Sequence, residues 1–248
     1  MNKISFHHPK IENDKKISYL VPADATHEKV ITDQISEIFI SQQYEKGKVK
    51  KDMVVMDVGA NIGLASLYFK DWAKTIYALE PNPRNYECLV ENTKAYPHIK
   101  TFNVGLAAKT ATEELRSGEP YPIAESLFGE GPVKTSVNLV SIEQFMNEQK
   151  IEHVDLLKMD TEGAEYIIFP SEGFSKMAPK IDYIIGEAHY CAKLVPDYIP
   201  AILKDCGFET EFLPYDNMFL VLTFEEGTKK TYRVDKQTIF FARRKGTK

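Results

Sequence analysis

Five short apolar runs, rich in Val, Ile, Leu and Tyr, divide the middle of the chain. They are MVVMDV (53–58), TIYALE (75–80), TFNVGL (101–106), VDLLKMD (154–160) and DYIIGEA (182–188). Each run is too short for a core helix, and runs that are apolar on both faces are typical of parallel strands covered by helices. The pattern therefore predicts five parallel strands.

Segments with helical spacing lie between these runs. Residues 82–96 repeat apolar positions at helical spacing, with Asn82 placed as the cap and Pro83 at the first helical position. A later segment opens with Ser141 and Gln144 at the spacing of a capping box. Because strands alternate with helices, the sequence predicts an α/β protein with a doubly wound, Rossmann-like and mostly parallel sheet.

The two ends of the chain differ from this middle part. The first residues are mixed and polar as far as a short helical pattern around Ile38 and Phe39. We expect residues 1–44 to form a lid or flanking segment and residues 45–248 to form the main domain. The C-terminal part holds further apolar runs, two of them separated by the turn-like EEGTKK. These runs predict an antiparallel pair at the C-terminal edge of the sheet.

Composition limits the class of protein. With 248 residues, the chain is long enough for one α/β domain with a modest extra piece. Its formal charge of −5 offers no basic surplus, so we expect no nucleic-acid partner. No apolar run approaches the roughly 20 residues that span a bilayer, and the N-terminus lacks the apolar core of a secretory signal. We therefore expect a cytoplasmic protein without a membrane span.

The turn after the first apolar run carries the first candidate chemistry. The stretch VVMDVGANIG (54–63) places Asp57 two residues before Gly59 and continues to Gly63. A dinucleotide turn would have the pattern G-x-G-x-x-G and room for a pyrophosphate, whereas a carboxylate at this place repels phosphate and suits an amine or a sulfonium. The next strand ends in Glu80, where an acid can bind both hydroxyls of a ribose. A ribose joined to a cationic amino acid describes S-adenosylmethionine.

Three segments carry a family resemblance. In chain order they are VVMDVGANIGLASLYF, YALEPNPRNYECLVEN and DLLKMDTEGAEYIIF, of which EPNP and KMDTEGAE are the most specific parts. They resemble the FkbM family of S-adenosylmethionine-dependent methyltransferases over about residues 44–189. The resemblance implies a class I methyltransferase fold and methyl transfer to oxygen, in known members often to a hydroxyl of a sugar or a polyketide. We therefore expect a small-molecule hydroxyl acceptor, with carbohydrate as one candidate.

The glycine turn and the end of the second strand together form the predicted cofactor site. We expect S-adenosylmethionine to be held by Asp57, Gly59, Asn61, Gly63, Glu80 and Asn82. Two alternatives stay open at this point. A nicotinamide-dependent oxidoreductase would share the fold but should show a third turn glycine, which this turn lacks, and a non-catalytic binding module would keep the fold without the reaction. The sequence indicates no particular oligomeric state.

Acidic residues gather where the fourth apolar run ends. Asp160 is at its carboxyl end, and Glu162 and Glu165 would lie on one side of a first helical turn if a helix starts there. Acids this close raise one another's pKa, so one of them would hold a proton or act as a base toward a hydroxyl. Alternatively, they bind Mg²⁺ or another hard cation, or they only stabilise the helix N-terminus. We assign no residue as a metal ligand.

The fifth run ends with two more candidate residues, Glu187 and His189, on one face of a strand. A neutral His189 imidazole would take the hydroxyl proton as methyl transfer begins; a hydrogen-bonded boundary position is the alternative. Lys158 lies within a run that should be covered on both faces, so we expect it to form a structural ion pair with a nearby carboxylate. The predicted catalytic residues are Asp160, Glu162, Glu165 and His189.

Overall fold

A seven-stranded sheet with helices forms the body of the protein. The computed structural model describes residues 2–6, 17–21, 34, 36–40, 43–117, 127–128, 132–189, 198–212, 222–225, 228–231 and 238–247. The strands are β1 (Asn2–Phe6), β2 (Ile17–Val21), β3 (Met53–Val58), β4 (Ala73–Leu79), β5 (Ile99–Phe102), β6 (Gly105–Ala107), β7 (Ala111–Ser117), β8 (Val133–Ser141), β9 (Val154–Met159), β10 (Ile181–Ala188), β11 (Phe208–Phe212), β12 (Leu222–Glu225), β13 (Thr228–Thr231) and β14 (Thr238–Arg244). The α-helices are α1 (Leu64–Phe69), α2 (Pro83–Thr93), α3 (Ile142–Glu148), α4 (Glu165–Ile168), α5 (Glu172–Met177) and α6 (Tyr198–Asp205).

The strand order of the main sheet is β11-β14-β10-β9-β3-β4-β5. The five strands β10, β9, β3, β4 and β5 are parallel to one another. Strand β14, in contrast, pairs antiparallel with both β10 and β11. This arrangement confirms the prediction of a doubly wound α/β sheet with an antiparallel C-terminal edge. Strand β4, which follows β3 in the chain, lies on one side of β3, and β9, which comes later, lies on the other side. The carboxyl ends of these strands form the crevice in which such sheets bind ligands.

The third apolar run differs from its prediction. It does not form one strand, because only Ile99–Phe102 pairs in the main sheet and Gly105–Ala107 joins another sheet. The side chain of Asn103 donates hydrogen bonds to the carbonyls of Glu80 and Pro81, both at 3.0 Å, and turns the chain between the two strands.

A small second sheet, with the order β6-β8-β7, follows this turn. Strands β7 and β8 pair antiparallel, and β6 adds to β8 in parallel. Its buried side chains, Ala107, Leu115, Val137 and Leu139, form a small core of their own. The sequence analysis did not predict this sheet, because β7 (ATEELRS) is too polar to stand out as an apolar run.

Local capping signals place two helices correctly. The Asn82 side chain accepts hydrogen bonds from the backbone N–H groups of Arg84 and Asn85, and Pro83 occupies the first turn of α2. The Ser141 hydroxyl accepts from the backbone N–H of Gln144 and caps α3. These contacts satisfy amides that a helix start leaves without partners, and both predicted helices are confirmed.

The alternation along β9 divides the core between the two faces of the sheet. Leu156 packs with Val55 and Ile185 in one buried cluster, whereas Leu157 packs with Met56 in the other. All six residues of β9 are buried. A strand covered on both faces holds its carboxyl end in a fixed place, which positions the acids that follow it.

The N-terminal and C-terminal parts are described only in pieces. Strands β1 and β2 pair antiparallel, and the helical pattern around Ile38 and Phe39 is a short π-helical turn, Ser36–Ile40, in which both of these residues are buried. Strands β12 and β13 pair antiparallel, with Glu225 opposite Thr228, so the EEGTKK segment overlaps both strands, and its residues 226 and 227 lie outside the described residues. In the parts of the chain that the structure describes, every helix is too short or too polar to cross a membrane.

Candidate active site

An open cleft lies at the carboxyl ends of β3, β4 and β9. The empty space between its walls, open solvent included, is about 730 Å³. The residues that line it include Gln34, Gly59, Asn61, Glu80, Asn82, Asn85, Asp160, Thr161 and Glu162. Four of the six predicted cofactor residues and two of the four predicted catalytic residues thus border one cleft.

The glycine turn has an unusual backbone. Gly59, Asn61 and Gly63 all have positive φ, at 75°, 49° and 94°, which is the left-handed region that favours glycine. A Cβ at Gly59 would lie 1.7 Å from the backbone oxygen of Asp160. Gly59 is therefore required by the close approach of two loops of the protein, and its contact with a cofactor stays a prediction.

Gly63 has a different neighbour. A Cβ at this position would lie 2.9 Å from Leu89 Cδ1 on α2, so the absence of a side chain lets α1 pack closely against α2. Its contact with a cofactor stays a prediction.

Glu80 is fixed at the cleft by two backbone donors. The N–H of Asn61 donates to Glu80 Oε2 at 2.8 Å, and the N–H of Asn82 donates to Oε1 at 2.9 Å. The residue is only 5% exposed. One carboxylate therefore ties the glycine turn to the start of α2 and faces the cleft with a single orientation.

Asn61 offers a second polar group to the same cleft. Its side-chain oxygen is buried and has no hydrogen-bond donor among the described residues. Buried acceptors normally have a partner. This oxygen therefore suits a donor that a ligand brings into the cleft.

Asp57 lies beneath the turn and has no exposed surface. Ser66 Oγ donates to its Oδ2 at 2.6 Å, and Lys158 Nζ is 3.3 Å from its Oδ1. The carboxylate thus faces Ser66 and Lys158, while the sequence analysis had expected it to face a cationic ligand. Burial of the strand explains the difference, because a charge in this position needs a partner within the protein.

Lys158 forms the structural ion pair that its position in a buried strand predicted. Besides Asp57, its ammonium group is 3.4 Å from Asp160 Oδ2 and donates to the backbone oxygen of Gly59 at 2.9 Å. Burial lowers the pKa of this lysine, but the charges of Asp57 and Asp160 outweigh that effect and raise it above its usual value. The side chain is therefore a cation that holds the ends of β3 and β9 together.

His189 is surrounded by four carboxylates, and we call these five residues the His189 cluster. The Nε2 atom is 3.5 Å from Glu162 Oε2, 3.7 Å from Asp160 Oδ1 and 3.9 Å from Glu187 Oε2. The Nδ1 atom is 3.5 Å from Glu165 Oε1. His189 itself is 7% exposed. The structure therefore brings together all four predicted catalytic residues, with Glu187 as a fifth member.

The turn before α4 differs from the predicted helix start. Glu162 and Gly163 have φ values of 53° and 104°, so the helix begins at Glu165 and not before it. The N–H and the hydroxyl of Thr161 donate to Glu165 Oε1 at 2.7 and 2.8 Å. Glu165 is fully buried and anchors this turn, whereas Asp160 and Glu162 border the cleft.

The electrostatics of the His189 cluster favour a protonated histidine. Burial lowers the pKa of His189, but the carboxylates of Glu165 and Glu162 outweigh it, and the pKa lies well above its usual value. Burial raises the pKa of Glu162 to about 7 and, together with the charge of Asp160, that of Glu187 to about 8. The geometry thus favours an imidazolium, in contrast to the neutral imidazole that the sequence analysis expected.

Sequence reasoning missed the residues that approach the cluster from the N-terminal side. The Tyr44 hydroxyl lies 3.2 Å from Glu187 Oε1 and 3.4 Å from Asp160 Oδ2, and Gln43 Nε2 donates to the same Glu187 oxygen at 3.1 Å. Burial and the charge of Glu187 raise the pKa of Tyr44 well above its usual value, so its hydroxyl stays a donor. Only the fold brings these residues together, and no local sequence signal could have found them.

The cleft also has an apolar wall that the sequence did not reveal. It is formed largely by the small sheet, with Leu106, Leu115, Leu127 and Leu139 among its residues. An apolar wall opposite fixed polar groups is the usual composition of a site for a small organic molecule.

Comparison with known families and sequences finds methyltransferases. The model of the methyltransferase FkbM domain matches residues 57–210. Methyltransferase sdnD of Sordaria araneosa is 31% identical over 211 residues, which cover 70% of this chain and 80% of that protein. Hexuronic acid methyltransferase AglP of Haloferax volcanii is 26% identical over 169 residues, which cover 66% of each chain. Among solved structures, precorrin-6y C5,15-methyltransferase of Geobacter metallireducens aligns with a TM-score of 0.49 and 15% identity, over 91% of this chain and 98% of that one.

Proposed function

The chain belongs to the FkbM methyltransferase family, and on that premise we propose that it transfers the methyl group of S-adenosylmethionine to a hydroxyl oxygen of a small molecule. The family match favours a methyltransferase over the nicotinamide-dependent oxidoreductase that the sequence left open. A sugar is the preferred acceptor, because one relative is a hexuronic acid methyltransferase and the resemblance of the three sequence segments implies the same class of hydroxyl.

The cleft residues fit S-adenosylmethionine. Glu80, fixed by the N–H groups of Asn61 and Asn82, is proposed to accept hydrogen bonds from the ribose hydroxyls. The buried side-chain oxygen of Asn61 would accept from an N–H or O–H group of the cofactor. The apolar wall of the cleft would cover the adenine ring. The position of Glu80 is the observation that carries this assignment.

Two predicted cofactor residues would act indirectly. Asp57 is buried beneath the turn and would hold it through Lys158, whose ammonium group binds the Gly59 carbonyl. Gly63 would let α1 and α2 approach each other, so that the turn between them keeps its shape. Gly59, Asn61, Glu80 and Asn82 are then the residues that border the cofactor.

The chain itself must orient the acceptor and remove its proton. When bound, S-adenosylmethionine supplies an electrophilic methyl group whose bonding electrons stay on sulfur. Asp160 and Glu162 border the cleft, so we propose that one of these carboxylates takes the proton of the acceptor hydroxyl. Glu165 and His189 lie behind them and would fix their orientation, as Thr161 and α4 fix Glu165.

The N-terminal segment is proposed to close this site. Gln34 lines the cleft, and Gln43 and Tyr44 contact Glu187 from the same side. We therefore propose that residues 1–44 form a lid over a methyltransferase domain of residues 45–248, and that this lid contributes to the choice of acceptor.

Calorimetric titration with S-adenosylmethionine tests the cofactor assignment. In Glu80→Gln one carboxylate oxygen, which accepts a hydrogen bond, becomes an NH₂ group that faces a backbone N–H donor. A hydrogen bond to a charged group is worth about 1.5–3 kcal/mol, so the affinity for S-adenosylmethionine should fall roughly 10- to 100-fold. Glu87→Gln is the matched control, because Glu87 is an exposed glutamate on α2. Equal affinity of Glu80→Gln and the unaltered protein would show that the ribose assignment is wrong.

A further inference from the structure

We propose that the His189 cluster is a divalent cation site, with Asp160, Glu162 and His189 as its protein ligands. The inference rests on the proposed function, since it adds a bound cation beside the acceptor at the same site. The cation that fits best is a first-row transition ion such as Mn²⁺ or Zn²⁺.

The spacing of the three ligand atoms supports a shared cation. Nε2 of His189, Oδ1 of Asp160 and Oε2 of Glu162 all lie within 4.8 Å of one another. The two distances from Nε2, 3.7 and 3.5 Å, are too long for hydrogen bonds. Ligands that each lie about 2.0–2.2 Å from one ion are separated by roughly 3–3.5 Å, so an inward movement of the side chains would complete the coordination.

The histidine supplies independent support. His189 is only 7% exposed, yet its Nε2 atom has no hydrogen-bond partner among the described residues. Buried polar groups in proteins are normally satisfied. Its Nε2 points at Asp160 and Glu162, whereas Nδ1 faces Glu165. A carboxylate behind the distal nitrogen is the usual arrangement for a histidine that ligates a metal, and Thr161 holds Glu165 in this position.

The charge balance of the region also favours a cation. Among the described residues, carboxylates outnumber cationic side chains here: Lys158 and His189 face Asp57, Asp160, Glu162, Glu165 and Glu187. Buried negative charge is costly unless it is paired. A divalent ion would displace the Nε2 proton of His189 to the solvent and would offset the excess, and the cleft that Asp160 and Glu162 border gives the ion a path from solvent.

The donor atoms indicate which cation would bind. Mg²⁺ prefers oxygen ligands and keeps several waters, whereas a site with one imidazole and two carboxylates suits Mn²⁺, Fe²⁺ or Zn²⁺. The sequence alone had suggested only a hard cation at the carboxylates, because the place of His189 depends on the fold. An ion at this place would also attract an oxygen atom of the acceptor. Since each carboxylate would bind the ion through one oxygen, its other oxygen could still take the proton of the acceptor.

A second group of one histidine and two carboxylates differs from the His189 cluster, because its members already have partners. His153, Asp155 and Asp182 lie at the opposite end of the sheet. Here the carboxylates already have cationic partners, since Lys50 is 2.5 Å from Asp155 and Arg244 is 3.2 Å from Asp182. His153 Nε2 is within hydrogen-bond distance of Asp182, at 3.0 Å. This group is therefore a matched control for the His189 cluster.

Titration with MnCl₂ tests the proposal. The full chain is stripped with a chelator, and bound Mn²⁺ is measured by electron paramagnetic resonance and calorimetry, with ZnCl₂ and MgCl₂ as comparisons. We expect one Mn²⁺ per chain and weaker binding of Mg²⁺. His189→Asn and Asp160→Asn should each weaken Mn²⁺ binding at least roughly tenfold, because even residues behind a ligand cost 10- to 100-fold. His153→Asn should bind as the unaltered protein does.

Three results would overturn the cation site: no Mn²⁺ binding, binding that survives both cluster variants, or binding that is lost in His153→Asn. Circular dichroism checks the fold of each variant, and if His189→Asn does not fold, Asp160→Asn decides the question. S-adenosylmethionine titrations of the same samples separate the two proposals. Cofactor binding without Mn²⁺ binding would refute only the cation site, whereas absence of cofactor binding would refute the proposed function.

Discussion

Replacing Lys158 by methionine should destabilise the protein strongly. The lysine is 2% exposed, and its ammonium group contacts the carboxylates of Asp57 and Asp160 and the carbonyl of Gly59. Methionine fills a similar volume but leaves Asp57, which has no exposed surface, without its cation. Removing one partner of a buried pair costs about 3–5 kcal/mol.

This cost should appear directly in the unfolding midpoint. For a domain of this size each kcal/mol lowers the melting temperature by about 2–4 °C, so the loss should be roughly 6–20 °C. Thermal unfolding followed by circular dichroism at neutral pH measures it. Lys176→Met is the control, because Lys176 pairs with Glu172 and Glu143 on the surface, where such pairs contribute little.

A double variant isolates the ion pair. In Asp57→Asn/Lys158→Met the buried charge is removed together with its partner, so part of the lost stability should return. A Lys158→Met protein that unfolds within about 1 kcal/mol of the unaltered protein would refute the reasoning, since the cost of an unpaired buried carboxylate exceeds that value.

Three further substitutions follow from the geometry. Gly59→Ala would place a methyl carbon 1.7 Å from a backbone oxygen, so it should abolish cofactor binding and lower the melting temperature. The control Gly207→Ala, with a similar φ and open space around it, should cost only about 1–2 kcal/mol of stability. Equal effects of the two substitutions would refute the steric argument. Tyr44→Phe removes a hydroxyl 3.2 Å from Glu187 and should lower kcat with little change in cofactor affinity by calorimetry; an unchanged kcat would remove the tyrosine from the site. Burial raises the pKa of Asp155, but the hydrogen bonds from Lys50 and from the Val54 N–H, together with the charge of Lys50, lower it below its usual value. The stability from these contacts should therefore be present above the unfolded pKa and be lost as pH falls through the folded pKa. Asp155→Asn should flatten that acid-side loss in urea titrations, and an unaltered pH profile would contradict it.

Local sequence signals were sufficient for much of the fold. The alternation of apolar runs gave the central strands, and the Asn82–Pro83 pair marked the start of α2, because a cap depends only on residues within one turn. The prediction that the third apolar run forms one strand was wrong, because local signals do not show where this run breaks. Its break at Asn103 depends on contacts with Glu80 and Pro81, which are distant in sequence.

In the candidate site, too, local sequence patterns indicated some residues, whereas only the fold brings the others into place. Glu80 and Asp160 were found because strand ends in a parallel sheet share one edge. The positive φ of Glu162, which delays the helix to Glu165, has no counterpart in the residue pattern. Tyr44 reaches Glu187 across 143 positions of the sequence, and no periodicity records such a contact.

Methyl transfer from S-adenosylmethionine carrying a deuterated methyl group tests the central claim most directly. The purified full chain is incubated with this cofactor and a panel of hydroxylated acceptors that includes hexuronic acid glycosides, and products are followed by mass spectrometry. The account predicts an acceptor that gains the labelled methyl group on oxygen, and a Glu80→Gln protein that forms this product only at higher cofactor concentration. Transfer to carbon or nitrogen, or Glu80→Gln activity equal to that of the unaltered protein at every cofactor concentration, would contradict it.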